Sequence, residues 1–241
     1  MKLRLHCCRW LWLLLLGGLA GAQEVSVSAH VALVSGQKSS RTPRPGNVVL
    51  WLTPIASRDA GPAPQTSQLP RLVQHHKSFD PHVLVVPVGS VVEFPNRDPF
   101  FHNVFSLFEG KRFDLGLYEA GSTRTVRFDK PGVSYIFCNI HPEMSAVVIA
   151  LDTTYYGVSD RRGEVVIPHV PVGRYILRIW YEEAVPDALK ALTREISVSE
   201  GGSTLGTLRL ATADLPQTHT NKYGRDYDPP APTDNPAYQH P

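Results

Sequence analysis

Cys138-Asn139-Ile140-His141-Pro142-Glu143-Met144, at the end of a β-patterned run over residues 134–138, decides the reading of this chain. It spaces a thiol, an imidazole and a thioether three residues apart. In Tyr135-Ile136-Phe137-Cys138 successive side chains face opposite sides of a strand, which puts Cys138 on the face of Ile136. A short loop after a strand-end cysteine can return His141 and Met144 to one point, and Pro142 stiffens that loop. A second imidazole stands upstream in Phe101-His102-Asn103-Val104-Phe105, where His102 shares the face of Val104 and the phenylalanines cover the other.

Two imidazoles, one thiolate and a weak thioether form the donor set that holds copper for electron transfer. Structural zinc prefers four strong Cys or His ligands, and a thioether serves it poorly. Soft sulfur with imidazole suits both oxidation states of copper, and three strong ligands with one weak one let them interconvert with little ligand movement. Such a set leaves no open position for substrate, which reads as a carrier and not an enzyme. Alone, a cysteine reads as a small buried hydrophobe. His141 and Met144 at loop spacing turn that reading toward a ligand, since the chain's other methionine is Met1.

The first 22 residues carry the marks of an export signal. Lys2, Arg4 and Arg9 precede the apolar run from Trp10 to Leu16, and Ala20-Gly21-Ala22 offers a cleavage site before Gln23. Cleavage there leaves 21 basic residues against 22 acidic ones, a balance with no electrostatic case for nucleic acid or anionic membrane. No later stretch reaches the roughly 18–20 apolar residues of a membrane span. Cys7 and Cys8 leave with the signal, so Cys138 has no intramolecular disulfide partner in an oxidising, periplasmic or otherwise extracytoplasmic compartment.

Patterning beyond the signal is all-β. Val25, Val27, Ala29, Val31 and Leu33 alternate with polar residues as a half-buried strand, and Val48-Val49-Leu50-Trp51-Leu52 suits a buried one. These fall in residues 23–66, interrupted by Pro- and Ser-rich loops. Residues 71–151 hold short strands expected at 72–79, 83–86, 91–95, 102–106, 123–128, 134–138 and 146–151, a spacing that predicts a Greek-key β-sandwich. A second β series over 152–211 has turns at Asp160-Arg161-Arg162-Gly163 and Pro171-Val172-Gly173, with one short helix opening at Pro186 and running to Leu192. Residues 212–241, rich in proline and poor in apolar side chains, read as a disordered tail.

The block from Gln74 to Leu151 resembles the cupredoxins, blue copper domains of the plastocyanin and amicyanin type. The resemblance rests on Phe79-Asp80-Pro81, Val86-Pro87-Val88-Gly89-Ser90-Val91-Val92, Asn96-Arg97-Asp98 and the contracted Cys-x-x-His-x-x-Met spacing, which is most like amicyanin. It implies that His102, Cys138, His141 and Met144 ligate one type 1 copper ion. Asn103 would tie the ligand loops together near the sulfur through its side chain and backbone. Residues 159–167 and 171–177 resemble the carboxypeptidase regulatory-like, or transthyretin-like, sandwich, for which the N-terminal strands would supply missing members around an inserted copper domain. Chains of this organisation are similar to those labelled methylamine utilization proteins.

The expected function is exported, single-electron transfer between redox partners, such as a c-type cytochrome or a dehydrogenase. A copper carrier or storage protein is a second reading, against which the scarcity of methionine weighs. A binding or scaffold module with incidental copper is a third. Phe100, Phe101 and Pro142 lie beside the ligand histidines as a potential apolar rim for a partner, with core packing the competing role for Phe101. His75 and His76 beside Lys77 read as solvated residues at a strand's start, with an auxiliary metal-loading site as the lesser reading, and His169, His219 and His240 are assigned no role. No paired His-x-His, phosphate loop or nucleophile elbow occurs.

Overall fold

A continuous apolar run such as Val48 to Leu52 must be covered on both faces, and the architecture is arranged around that requirement. The computed structural model describes residues 23–35, 44–56, 68–107, 110–213 and 219–227; the expected signal, residues 1–22, lies outside them. In chain order the strands are β1 (Glu24–Ser35), β2 (Val49–Pro54), β3 (Val73–His75), β4 (Ser78–Asp80), β5 (Val83–Pro87), β6 (Val91–Pro95), β7 (His102–Ser106) and β8 (Phe113–Tyr118). They continue with β9 (Thr123–Arg127), β10 (Gly132–Phe137), β11 (Ser145–Leu151), β12 (Tyr156–Val158), β13 (Glu164–Pro171) and β14 (Gly173–Trp180). The helix α1 (Pro186–Leu192), opened by its proline, precedes β15 (Arg194–Val198) and β16 (Ser203–Thr212). Among the described residues no helix is long and apolar enough to cross a membrane.

The sheets stack in layers. One sheet runs β13-β1-β16 and the next β12-β2-β14-β15, so both N-terminal strands pair with strands that follow the central block. Between them lies a core of Val27, Val31, Leu50, Leu52, Ile167 and Leu177 with their neighbours. The central block has a sheet in the order β5-β11-β10-β7-β8, faced by the pairs β3-β4 and β6-β9, which the bridges Arg71 to Glu93 and Gln74 to Asn96 link. Phe94, Phe128, Ile136 and Val148 fill the space between, together with Cys138 and Met144.

Strand β11 shows why the two bodies are held together. Its Ala146, Val148 and Ala150 point into the central core, while Val147, Ile149 and Leu151 point the other way. That outer face meets Val49 of β2 and Trp180 of β14, with Val83 and Val85 of β5 beside them. Burial of an aliphatic side chain of this size contributes about 1.5–3 kcal/mol, so this shared layer outweighs any single polar contact across it.

One polar contact does make that junction sensitive to pH. His82 Nε2 meets Glu182 Oε2 at 2.7 Å while its Nδ1 meets the Ser145 carbonyl at 3.2 Å. The Glu182 bond raises the imidazole above its ordinary 6.5, against the opposing effect of burial. A raised folded-state value means that the stabilisation is complete below pH 6.5 and is lost as pH rises through the folded value. Denaturant midpoints of the wild type should therefore fall as pH increases above 6.5, by less than about 1 kcal/mol because the pair is partly solvated. Midpoints of His82→Gln should lack this slope; an equal slope in the variant would remove His82 from the explanation.

Two local expectations are corrected. Residues 72–79 form no single strand: β3 and β4 make a hairpin whose turn residues His76 and Lys77 have φ of 54° and 52°. The reason lies at Asp98, whose carboxylate accepts both turn N–H groups. Strand β8, which the period-2 pattern does not announce, pairs with β7 across a bulge between Asn103 and Phe105, and Gly116 at φ 68° disturbs its alternation.

Candidate metal centre

Three strands and one loop bring the donors together. His102 opens β7, Cys138 directly follows β10, and His141 and Met144 occupy the connection to β11. Met144 N–H donates to the His141 carbonyl at 3.1 Å, closing a β-turn with Pro142 at its second position, where the ring's fixed φ favours the turn. Cys138 N–H in turn donates to the Met144 carbonyl at 3.3 Å, so the loop is closed at both levels.

The ligand atoms form a triangle. His102 Nδ1 and His141 Nδ1 are 3.1 Å apart, and Cys138 Sγ lies 3.7 Å from the first and 3.5 Å from the second. The point equidistant from all three is about 2.0 Å from each, the scale of late first-row metal bonds to imidazole and thiolate. Among the described residues this is the one group of His, Cys, Asp and Glu side chains so arranged. Met144 is fully buried in the same apolar cluster as Cys138. A trigonal N₂S set in an apolar surround, with a buried methionine in the same cluster, fits a copper ion better than a structural zinc.

Which ring nitrogen faces the triangle is decided from behind. His102 Nε2–H donates to Asp98 Oδ2 at 2.8 Å, leaving the Nδ1 lone pair free. Asp98 is itself almost fully buried; its Oδ1 accepts from His76 N–H at 2.6 Å and its Oδ2 also from Lys77 N–H at 2.9 Å, while its own N–H donates to Asn96 Oδ1. Burial alone would raise this carboxyl, but the bonds from Lys77, His102 and His76 hold it below the ordinary carboxylate range. The strained, non-glycine turn at His76-Lys77 thus has a function in the site: it supplies two of the three donors that keep Asp98 ionised.

Electrostatics keep the imidazoles neutral. Burial lowers His102, against the pull of Asp98. Burial, then the neighbouring His102 and Lys77 charges, bring His141 down to about 4. Neutral imidazole is the form that binds a metal. Burial pushes the Cys138 thiol up, although the backbone N–H groups of Asn103, Ile140 and His141 converge on its sulfur and favour thiolate. A bound cation would complete that deprotonation.

Asn103 differs in part from expectation. Its backbone N–H favours the Cys138 thiolate, while its side-chain Nδ2 donates across the sheet to Asp114 Oδ1 at 2.7 Å. The register of β7 with β8 decides this, because it sets Asn103 and Asp114 on adjoining strands. Phe100 covers both imidazoles, with ring centroids 5.2 Å from His102 and 5.7 Å from His141. Phe101 is 56% exposed, which removes the core-packing reading and leaves it on the rim with the exposed Pro142 and Ile140. His75 and His76 are exposed and lie ring against ring at the hairpin tip. Sequence reasoning missed Asp98, Asp114 and Tyr118, whose buried hydroxyl joins Gln74 to the Phe94 carbonyl; the Asn-x-Asp turn before the histidine was the one available hint.

No protein-family model matches this chain, and no curated protein does. Among solved structures it is similar to a copper-containing nitrite reductase from Thermus scotoductus SA-01, at 26% identity and TM-score 0.34, over 41% of this chain and 25% of that one. The chain therefore spans a quarter of that enzyme's length. A purple cupredoxin from Nitrosopumilus maritimus matches at 23% identity and TM-score 0.31, over 34% of this chain and 99% of that one. An amicyanin mutant in its oxidised state matches at 19% identity and TM-score 0.34, over 36% and 87% respectively.

Proposed function

We propose that this chain is an exported, mononuclear type 1 copper protein that passes single electrons between redox partners in the periplasm. The observation that carries the reading is the triangle of His102 Nδ1, His141 Nδ1 and Cys138 Sγ, with Met144 buried in the same apolar cluster as the cysteine. Copper in this set supplies a one-electron couple with little geometric change between its two states.

The protein's own residues would do the rest. Asp98 and the His76-Lys77 turn hold His102 in the metal-binding tautomer. Three backbone N–H groups stabilise negative charge on the Cys138 sulfur, and Met144 serves as the weak axial donor. His141, the partly exposed ligand, is followed by the exposed Pro142, and the exposed Phe101 precedes His102, an edge suited to a partner such as a c-type cytochrome or a dehydrogenase. Residues 71–151 make the copper domain, and residues 23–66 join 152–211 in a transthyretin-like sandwich around it; the pairings of β1 with β13 and β16, and of β2 with β12 and β14, support that division. With the donor set filled, no position remains for a substrate, and the role is that of a carrier and not of an enzyme.

Visible and electron paramagnetic resonance spectra of the Cu(II)-loaded protein test this reading. An intense blue thiolate-to-copper band with narrow hyperfine splitting, bleached by mild reductant and restored on oxidation, is the expected result. Weak tetragonal copper signals, or none, would return the case to a copper carrier or a scaffold.

A further inference from the structure

The segment His219–Tyr227 lies in the tail expected from composition to be disordered, and it is folded against the metal loop. Its own turn is organised by Asn221, whose side-chain Oδ1 accepts from Tyr223 N–H and Arg225 N–H and whose Nδ2 donates to the Asp226 carbonyl. Gly224, at φ 73°, occupies the position in that turn that a side chain would strain.

Four contacts attach this turn to the candidate site. Tyr227 O–H donates to the Cys138 carbonyl at 2.7 Å and stands 3.1 Å from His219 Nδ1, whose N–H can donate to the phenolic oxygen. The His219 ring lies on the Phe137 ring with centroids 4.1 Å apart. Lys222 N–H donates to Asn139 Oδ1 at 3.0 Å, and Lys222 Nζ pairs with Asp114 Oδ2 at 2.8 Å. Asp114 is the carboxylate that also holds Asn103, the neighbour of His102. Residues 137, 138 and 139 are therefore each gripped from one segment, and the same segment reaches β8, the strand paired with the one that carries the first histidine.

We infer that His219–Tyr227 is a strap whose Tyr227 and Lys222 are positioning residues for the metal-binding loop. The strap adds nothing to the central core, which is filled without it. Among the described residues its contacts fall at the strand end and turn from which the cysteine ligand projects, and at the outer partner of Asn103. By covering the Cys138-Asn139 flank it leaves the His141, Phe101 and Pro142 edge as the open approach to the donors. The grip on the loop does not depend on metal, whereas its effect on a reduction potential rests on the copper reading proposed above.

The test is amide hydrogen exchange of the metal-free full chain, read by mass spectrometry over residues 138–144, for the wild type, Tyr227→Phe and a chain ended at Ala213. Loss of one hydrogen bond on a locally opening loop should speed exchange about 5-fold in Tyr227→Phe, and more in the shortened chain, with peptides of β1 and β14 unchanged. In the Cu(II)-loaded protein, Tyr227→Phe should lower the reduction potential without moving the thermal midpoint, because a loosened loop admits water and removes a hydrogen bond that withdraws charge from the cysteine residue. Unchanged exchange over 138–144 in both variants would overturn the strap. A wild type without the blue band, but with the faster exchange in both variants, would sink the electron-carrier reading and support the strap.

Discussion

In the copper centre proposed above, Cys138→Ser is expected to abolish the thiolate-to-copper absorption and lower copper affinity by well over the roughly 10–100-fold typical of losing an outer partner of a ligand. The sulfur sits at a corner of the donor triangle, fully buried, and the backbone N–H groups of Asn103, Ile140 and His141 favour its ionised form. A serine hydroxyl occupies less space, is a harder donor and is far more difficult to deprotonate. The same N–H groups would still find an acceptor, so the metal-free fold should lose little stability and the defect should be confined to the metal. Absorption spectra and titration with Cu(II) read both quantities. Full blue colour in the serine variant would remove Cys138 from the ligand set.

Asp98→Ala is expected to cost both metal and fold. The carboxylate is 3% exposed and accepts three bonds: from His76 N–H, Lys77 N–H and His102 Nε2–H. Truncation leaves a buried imidazole donor and a strained turn without their acceptor, and breaking a buried, charge-assisted set of this kind costs about 3 kcal/mol. Loss of the tautomer lock should weaken copper binding by about 10–100-fold. Asp98→Asn keeps the shape and separates the two effects. If the amide nitrogen faces Lys77 and His102, His102 must move its proton to Nδ1 and surrender the metal lone pair; if it faces His76, the turn loses its acceptor instead. Denaturant unfolding of the metal-free variants and competition with a chelator would measure these terms. Wild-type copper affinity in Asp98→Ala would refute the lock.

The legible part of the site is the part that is local. Cys138, His141 and Met144 lie within one short loop, and His102 opens a strand whose alternation can be followed. Asp98 was harder to see, since its importance comes from contacts to residues 76 and 77, on a hairpin some 20 positions earlier that the pattern presented as one strand. Positive φ at two residues without glycine gave no signal, because the strain is offset by Asp98 and not by local chemistry. Phe101 was ambiguous between core and rim, as any aromatic beside a ligand is, until the path of the chain before β7 exposed it. The tail misled for a related reason. Composition describes whether a segment can bury a core of its own, and His219–Tyr227 needs none, because it borrows its partners from residues 114 and 137–139.

By itself, then, the sequence determined the β class, the strands with clean period-2 alternation, the short helix at Pro186 and a set of donors whose chemistry suits copper. Those depend on residue type and spacing along a few consecutive positions. The resemblance of residues 159–177 to a known sandwich also led to the expectation that the N-terminal strands join it. The register of β1 and β2 with strands more than 100 residues later came from tertiary structure, as did the covering of both faces of β11, the orientation of His102 by Asp98 and the crossing of the cysteine loop by the tail. Each of these is a pairing between distant segments, set by sheet register and shared burial, and a single chain carries no periodic signal for a partner it meets only after folding.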